Sequence, residues 1–366
     1  MDNSQKKLVL VITPRKKGGP WQWGVDLASE LNKTEKFEAS HIFTLKDKFS
    51  SPFSLNSCII HTTNPLAFSF SMRPLILTVH GKIHGSFWKF FYWLGIQRAS
   101  VVTVPSNFLK NYLGIKKAIV IPNAIDTLNF SEVSLTERGY YNILTITKFW
   151  FPEKARGLFE LAQLIFNLAK DFDKRINWRI VGYGPLLEDI KKSVALLERP
   201  KNLSVQWFGY DTPQKYFSDS DIFAYFSYED NMPIVVMEAM ASGLPVVTNN
   251  VGAVDEIIKS GIDGFIAKSS QDYQNILLNL MNDFNLRKKI SGAASKKIEE
   301  KFSWEVVLPR WLELYNNTDQ DIDLTNWKII VSGEYLNWNN TSSTIKARDY
   351  YLMERTSDNT VKQVAA

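Results

Sequence analysis

A repeated alternation of short apolar runs with helix-periodic segments constrains the fold of this chain more than any other feature. Ten runs of three to five residues, mostly aliphatic or β-branched, lie within the first 267 residues. They are Leu8–Ile12, Leu75–Val79, Val101–Val104, Ala118–Ile121, Ile143–Ile146, Trp178–Val181, Leu203–Trp207, Ile222–Tyr225, Pro245–Val247 and Phe265–Ala267. Near-continuous apolar runs of this kind are typical of parallel strands that are buried on both faces.

The segments between these runs have helical periodicity. Leu158, Leu161, Ile165 and Leu168 recur at spacings of three and four, which places one apolar stripe along a helix. Alternating strands and helices predict an α/β protein with two Rossmann-like, doubly wound parallel-sheet domains. Because open parallel sheets bind ligands beyond the carboxyl ends of their strands, we expect the functional loops there, facing a cleft between the domains.

Chain length and one break in the pattern set the predicted domain boundaries. A chain of 366 residues is long enough for two domains. The polar stretch Asp126–Tyr140 lacks periodicity and separates a first domain, residues 1–125, from a second, residues 126–303. Residues 304–318 form a further helix. Residues 319–366 are rich in Asp, Asn, Ser and Thr, and this tail is either disordered or a small added unit.

Composition excludes several classes of protein. Cys58 is the only cysteine, which excludes an internal disulfide framework and a thiolate metal cluster and is typical of a reducing compartment. No apolar run approaches the roughly 18 residues of a membrane span. Leu8–Ile12 is too short for the apolar part of a secretory signal. We therefore expect a cytoplasmic globular protein.

The formal net charge of +5 is unevenly distributed. Residues 1–125 carry 16 Lys and Arg against 6 Asp and Glu, whereas residues 126–318 have a net charge of −3 and residues 319–366 of −2. A basic first domain predicts an anionic partner, such as a membrane face, a nucleic acid or an acidic substrate. An ordinary solvated lysine surface is the alternative. No recognisable nucleic-acid-binding module occurs there, which disfavours nucleic acid.

An aromatic segment lies within this basic region. Residues 87–93 hold six aromatic side chains in seven positions, and Lys82, Lys89 and Arg98 lie in or beside the segment. Two interpretations remain open. The segment is either a helix at the surface of an anionic bilayer, which would make the protein peripheral to the membrane, or a helix packed against the sheet.

The densest candidate site follows the predicted strand Asp221–Tyr225. An acidic loop leads into a helix that Pro233 opens and Gly243 closes. The backbone N–H groups of Met232, Ile234 and Val235 at this helix start can hold a phosphate or sugar hydroxyls, and these residues, together with Pro233, which opens the helix and has no N–H, are the candidates for binding. Asp230 and Glu238 can accept hydrogen bonds from the vicinal diols of a sugar and a ribose. Alternatively, Asp230 is only a favourable charge at the helix start.

Four segments together resemble, in their order along the chain and their spacing, the retaining glycosyltransferases of family four, which have the GT-B fold. They are Asp230–Val247, similar to the family's E-x7-E signature; Val120–Asp126 with Phe130; Val181–Leu186; and Gly252–Ile258 with Gly261 and Asp263–Phe265. The resemblance covers about residues 8 to 315. Asp230 replaces the first signature Glu and is one methylene shorter. Adjacent Glu229 can take that role only by a one-residue shift, and Ala124 replaces a glycine.

The resemblance implies roles for residues of the second domain. Lys148 and Lys154 occupy the family's Arg–Lys positions and would contact the donor's diphosphate, whose leaving group develops negative charge. Lys148 supplies a point charge and lacks the bidentate fork of arginine. Glu238 would hold the ribose and Asp230 the sugar hydroxyls. Base contacts would come from the loops that contain Gly184 and Tyr210.

In the first domain, Gly18 and Gly19 follow the first strand and resemble the family's donor loop. Bare backbone there can approach a phosphate or sugar, ahead of a helix that begins near Gln22. His80 follows the strand Leu75–Val79 and matches the family's strand-end histidine, which points at the transferred sugar; a structural histidine is the alternative. The helix Trp304–Tyr315 resembles the segment that crosses back to the first domain.

A dinucleotide-binding site is the competing interpretation of Gly182 and Gly184. That fingerprint requires a third glycine, but Leu187 stands there and Pro185 interrupts the motif. The sequence therefore disfavours an NAD-dependent enzyme.

Together these observations predict a GT-B glycosyltransferase that moves a sugar from a nucleoside-diphosphate donor, such as a UDP- or GDP-sugar, to a glycan or lipid-linked acceptor with retention. No metal or other cofactor is expected, because the family needs none. Two alternatives remain: a GT-B enzyme similar to nucleotide-sugar 2-epimerases, and a nucleotide- or glycan-binding module with catalysis weakened by Asp230 and Lys148.

Overall fold

The computed structural model describes residues 7–13, 19–34, 37–42, 58–65, 75–130, 133–209, 212, 214–315 and short strands between residues 322 and 364. The chain divides into two compact units. Unit 1 comprises Met1–Pro105, Lys110–Ala124 and Trp304–Ala366, and unit 2 comprises Ser106–Leu109 and Ile125–Ser303.

Unit 1 is built on a six-stranded parallel sheet. Its strands are β1 (Lys7–Ile12), β2 (Phe37–Ile42), β3 (Cys58–Thr62), β4 (Leu75–Thr78), β5 (Val101–Val104) and β6 (Ile119–Val120), in the spatial order β2-β1-β3-β4-β5-β6. The helices between them are α1 (Gly19–Lys33), α2 (Ser86–Arg98) and α3 (Asn107–Leu113). Val9, Leu27 and Ile76 are at most 2% exposed, so the core lies between this sheet and α1.

Unit 2 contains a second six-stranded parallel sheet, in the order β12-β11-β10-β7-β8-β9. Its strands are β7 (Tyr140–Lys148), β8 (Arg175–Tyr183), β9 (Leu203–Phe208), β10 (Ile222–Tyr225), β11 (Val246–Asn249) and β12 (Phe265–Ala267). Its helices are α4 (Pro152–Lys170), α5 (Leu187–Ala195), α6 (Gln214–Phe217), α7 (Ile234–Ala241), α8 (Val254–Ile257), α9 (Ser270–Asn282) and α10 (Phe284–Phe302). The order of this sheet reverses between β7 and β10, which are neighbours, so a topological switch point lies there.

A last helix, α11 (Trp304–Tyr315), packs on unit 1. Trp304, Val307 and Trp311 are buried against the cluster that contains Trp23 of α1. Beyond α11 the described residues form three antiparallel pairs, β13 (Ile322–Asp323) with β16 (Thr344–Ile345), β14 (Lys328–Val331) with β15 (Glu334–Asn337), and β17 (Leu352–Arg355) with β18 (Val361–Val364). Among the described helices, none is both long and apolar enough to cross a membrane.

The predicted α/β architecture is confirmed, with differences in detail. Each of the ten predicted runs overlaps an observed strand, and of the twelve strands in the two six-stranded sheets the prediction missed β2 and β3. Helix α1 begins at Gly19 instead of near Gln22, so the expectation that Gly19 precedes the helix was wrong. Gly18 lies outside the described residues.

Candidate functional site

The candidate site of unit 2 lies at the switch point of its sheet. Strands β7 and β10 run parallel, with Ile143 beside Ile222, and they end at Lys148 and Tyr225. The next helices, α4 and α7, begin at Pro152 and Ile234. Sheets of this type bind ligands outside the carboxyl ends of the strands at such a reversal.

Three side chains from different elements form a hydrogen-bonded cluster at this point. The Lys154 Nζ, in the first turn of α4, donates to the Asp230 Oδ2 at 2.6 Å. The Tyr225 hydroxyl, at the end of β10, donates to the same oxygen at 2.5 Å, and the Asn231 backbone N–H donates to Oδ1 at 2.9 Å. Both oxygens of Asp230 are therefore engaged by the protein itself, and one of them orients Lys154.

The charges of this cluster reinforce one another. Burial by itself would raise the pKa of Asp230, but the Lys154 ammonium and the hydrogen bonds from Tyr225 and Asn231 hold it below the ordinary value. Burial would lower the pKa of Lys154, yet Asp230 raises it well above its usual range. Burial and the Asp230 charge both raise the pKa of the Tyr225 hydroxyl. At neutral pH the site thus holds a charged lysine, a carboxylate and a protonated tyrosine.

A second lysine–carboxylate interaction lies beside the first. Burial lowers the pKa of Lys148, and repulsion from Lys154 lowers it further, whereas Glu238 and Asp230 act in the opposite direction. Glu238 is a half-buried residue of α7, one turn into the helix. The four residues predicted for the donor, Lys148, Lys154, Asp230 and Glu238, are thus electrostatically coupled in one place.

The loop that carries Asp230 is held from both sides by its own unit. Asn249, the last residue of β11, accepts from the Ser227 N–H at 3.1 Å and donates its amide to the Ser227 carbonyl at 2.8 Å. The Ala253 N–H donates to the Asn231 carbonyl at 2.6 Å. The Ser227 hydroxyl donates to the Glu229 carbonyl at 2.8 Å. These bonds fix the backbone from which Asp230 reaches Lys154.

Glycines allow the close backbone approaches that the cluster needs. A Cβ at Gly157 of α4 would lie 2.4 Å from the Phe226 carbonyl oxygen, so only glycine lets α4 come this near the end of β10. Gly184, with φ +145°, would place a Cβ 2.4 Å from the Phe149 carbonyl carbon, one residue beyond Lys148. Gly184 therefore packs on the loop that carries Lys148, a structural role that explains its residue type.

Helix α7 starts with backbone groups suited to an anion. Pro233 is the N-cap and provides no side-chain hydrogen bond to the helix. Met232 and Pro233 are buried, whereas Ile234 and Val235 are half-buried. The first N–H groups of a helix have no partner within it, and the helix dipole favours negative charge there. Ile234 and Val235 thus present two N–H groups after the Asp230 loop.

In unit 1, His80 lies at the edge of a small pocket. The pocket has a volume of about 140 Å³, and its lining includes Pro20, Thr63, Lys82 and Tyr92. The His80 ring contacts the Trp23 ring with centroids 4.6 Å apart. Burial lowers the pKa of His80 to about 3, so the imidazole is neutral at physiological pH.

Other predicted site residues have different outcomes. Gly19 opens α1 next to Pro20 of the His80 pocket. Tyr210 and Gly18 lie outside the described residues. The prediction did not include Tyr225 and Asn249 among the site residues. Tyr225 ends β10 and Asn249 ends β11, beside the switch point, and this position at the carboxyl end of a strand is the signal that could have identified them.

Part of this chain is similar in sequence to known glycosyltransferases. Residues 151–297 match the family model "Glycosyl transferases group 1". An uncharacterized glycosyltransferase of Methanocaldococcus jannaschii is 27% identical over 249 residues, which are 63% of this chain and 65% of that protein. The UDP-Gal:alpha-D-GlcNAc-diphosphoundecaprenol alpha-1,3-galactosyltransferase of Escherichia coli is 23% identical over 300 residues, 74% of this chain and 72% of that protein.

A solved structure shows the same architecture. The glycosyltransferase of Rickettsia africae superposes with a TM-score of 0.66 at 20% identity, covering 85% of this chain and 98% of that one. The predicted GT-B fold is confirmed. The matched stretch, residues 151–297, is similar to group 1 glycosyl transferases and includes Lys154, Asp230 and Glu238.

Proposed function

We propose that this protein is a retaining glycosyltransferase that uses a nucleoside-diphosphate sugar as its donor. The observation that carries the proposal is the placement of Lys148 and Lys154 at the switch point of the unit 2 sheet, with Lys154 held 2.6 Å from Asp230 inside the stretch that matches the group 1 glycosyl transferase model. A lysine pair in this position suits a diphosphate, because cleavage of the sugar–phosphate bond leaves additional negative charge on the leaving group.

The donor would bind on unit 2. Lys154 and Lys148 would neutralise the diphosphate, and the N–H groups of Ile234 and Val235 would bind its oxygens or the sugar hydroxyls. Glu238 would accept hydrogen bonds from the ribose. Asp230 would act mainly by orienting Lys154, since its two oxygens already accept three hydrogen bonds. Adjacent Glu229, half-buried, is the candidate for the sugar contact that a longer residue at position 230 would make.

Chemistry and the name of one relative support a proposal for the two substrates. The Escherichia coli relative is named for UDP-Gal and a diphosphoundecaprenol-linked acceptor. We therefore propose a UDP-sugar as the first donor to test and a glycan or lipid-linked glycan as the acceptor, on the side of unit 1. Neutral His80, at a pocket of about 140 Å³, is suited to hydrogen bonding with a sugar hydroxyl.

Retention, cellular location and metal independence are parts of the same proposal. The product would keep the anomeric configuration of the donor through attack on the face that the leaving group departs from. A cytoplasmic location is supported by the single cysteine in 366 residues. No group of three or more His, Cys, Asp or Glu in the described part of the chain is placed to hold a metal ion. Transfer should then proceed at an unchanged rate in EDTA, and loss of the rate would contradict metal independence.

A binding module with weakened catalysis is the second candidate, because Asp230 is occupied by Lys154 and Tyr225. Nuclear magnetic resonance of a UDP-sugar with the protein separates the possibilities. An enzyme releases UDP and a sugar product with retained configuration, an epimerase changes C2 of the sugar, and a binding module changes neither.

Donor binding itself is tested by thermal shift with UDP-, GDP- and ADP-sugars. A true ligand at ten times its Kd stabilises the folded protein by about 1.4 kcal/mol. Lys154→Met should abolish the shift. Lys191→Met, which removes a surface lysine paired with Glu188 on the same unit, should keep it. No shift with any donor would contradict the proposal.

A further inference from the structure

Helix α2 presents aromatic side chains to solvent. Phe87 is 64% exposed, Trp88 44%, Phe90 56% and Trp93 56%, and we call these four residues the α2 aromatic patch. Gly95 is the only buried residue of the helix. The rings contact one another, with centroids 5.6 Å apart for Phe87 and Trp88 and 6.2 Å apart for Phe90 and Trp93. Four large exposed aromatics on one helix exceed the scattered apolar residues of an ordinary surface.

The orientation of α2 shows that part of this patch faces away from unit 1. The Tyr92 hydroxyl donates to the Thr63 carbonyl at 3.1 Å, and Gly95 is buried, so both mark the inward side. Side chains advance about 100° per residue around a helix, which places residues two apart about 160° from each other. Phe90 therefore lies opposite Tyr92, and Trp93 lies opposite Gly95. The outer face of α2 is aromatic where a surface helix is normally polar.

The surroundings of the patch are basic. Residues 48–125 contain eight Lys and Arg and no Asp or Glu. Exposed Lys89 lies within α2 itself. The Lys117 Nζ donates to the Ile96 carbonyl at the end of α2 at 2.5 Å, and the Lys82 Nζ lies 4.9 Å from the ring centre of Tyr112, which is 57% exposed. Cations thus border the aromatic surface.

We propose that the α2 aromatic patch docks unit 1 onto the surface of an anionic phospholipid bilayer. Phenylalanine and tryptophan side chains insert at the boundary between headgroups and acyl chains, and lysine side chains bind the anionic headgroups. The helix lies in the plane of the surface. An anionic lipid surface offers an apolar layer for the aromatic rings and a dense array of phosphates for the lysines. Residues 48–125 contain no Asp or Glu that would repel those phosphates. The proposal uses no residue of the donor site in unit 2, so it can fail or succeed independently of the glycosyltransferase proposal.

Co-sedimentation of the full chain with lipid vesicles tests this inference. The protein should pellet with vesicles that contain phosphatidylglycerol and stay in the supernatant with pure phosphatidylcholine. Phe90→Ser/Trp93→Ser should lower the binding constant for anionic vesicles by about tenfold or more, since two aromatic side chains that would insert into the bilayer are lost. Lys89→Gln/Lys117→Gln should weaken binding and reduce its dependence on salt concentration.

A matched control comes from unit 2. Leu196 and Ile262 are 87% and 47% exposed, and Leu196→Ser/Ile262→Ser should bind anionic vesicles like the unmodified chain. Urea unfolding of all variants verifies that they fold. Equal binding to both kinds of vesicle, or unchanged binding of Phe90→Ser/Trp93→Ser, overturns the proposal. So does a concentration-dependent dimer that this variant abolishes, because the patch would then belong to a second copy of the chain.

Discussion

The Lys154 Nζ, in the first turn of α4, lies 2.6 Å from the Asp230 Oδ2, in the loop between β10 and α7. The same oxygen accepts the Tyr225 hydroxyl at 2.5 Å, so a carboxylate is held between a cation and a neutral donor. In the proposed function Asp230 has a positioning role: it fixes the ammonium of Lys154 at the switch point, where a diphosphate would bind.

Substitutions of Lys154 and Asp230 should have strongly non-additive effects on the free energy of unfolding. Asp230→Asn leaves Lys154 without its counter-charge in a mostly buried place, and we expect a loss of about 1–3 kcal/mol in the free energy of unfolding. Adding Lys154→Met should cost much less than the sum of the two single changes. Urea unfolding of both single variants and of the double variant measures this coupling; additive effects would contradict it.

Tyr225 should matter for catalysis although it faces no predicted ligand. Tyr225→Phe removes one hydrogen bond to Asp230 and loosens Lys154, which should lower kcat/KM by roughly tenfold, equivalent to about 1.4 kcal/mol. Tyr141→Phe is the matched control, because its buried hydroxyl donates to the Met281 carbonyl in the core of the same unit. Steady-state kinetics in which both variants lose activity equally would refute the specific role.

Gly157 should resist substitution. Gly157→Ala drives a Cβ to within 2.4 Å of the Phe226 carbonyl oxygen and 2.8 Å of the Ser227 Cα, so α4 must move. We expect a loss of about 1–3 kcal/mol in the free energy of unfolding and a lower activity, since Lys154 lies one turn away. In contrast, Gly292→Ala in α10 meets nothing within 4 Å and should stabilise the helix by up to about 1 kcal/mol. Equal stability of the two variants, measured by urea unfolding, would contradict this account.

Unit 1 should lose stability in acid because of His61. This histidine is fully buried, and its Nε2 is 2.6 Å from the Thr78 hydroxyl oxygen. Burial lowers its pKa to about 3, with a further contribution from His80. Because the unfolded chain takes up the proton near its ordinary pKa of about 6.5, the stabilisation is complete above that pH and is lost as the pH falls towards 3.

The expected slope is roughly 1.4 kcal/mol per pH unit from His61 between those limits, and buried His80, whose pKa is also lowered to about 3, adds a comparable contribution. Urea unfolding at pH 7 and pH 5 measures the sum, and His61→Asn should remove about half of the dependence. The same slope in this variant would show that another group is responsible.

Periodicity in the sequence was sufficient for most of the fold. The runs at Val101–Val104 and Ile222–Tyr225 coincide with observed strands, because strands in the interior of a parallel sheet are buried on both faces and contain almost only apolar residues. Strand β2 escaped detection because it is an edge strand with alternating burial and polar Glu38 and Ser40.

Strand β3 was missed for a different reason. Only Ile59 and Ile60 form an apolar pair there, and buried His61 and Thr62 count as polar in any pattern. His61 is accommodated by the Thr78 hydroxyl of the neighbouring strand, a contact between residues 17 apart that no local pattern contains.

The candidate site was predicted through its charged residues, but their mutual contacts were not. Spacing placed Lys148 and Lys154 after one strand and Asp230 after another. These residues meet because β7 and β10 are neighbours in the sheet. Local sequence does not specify that strand order. The aromatic segment shows the same limit: its composition allowed a buried or an exposed helix, and α2 is largely exposed.

The central claim is that the switch-point lysines of unit 2 serve the transfer of a sugar from a nucleoside-diphosphate donor. Its most direct measurement is the rate of UDP or GDP release from a panel of nucleotide sugars, with and without glycan acceptors, for the unmodified protein, Lys154→Met and Glu238→Gln. We predict release with at least one donor, with both variants slower by at least about tenfold. Full activity of both variants, or no release with any donor, would contradict the account.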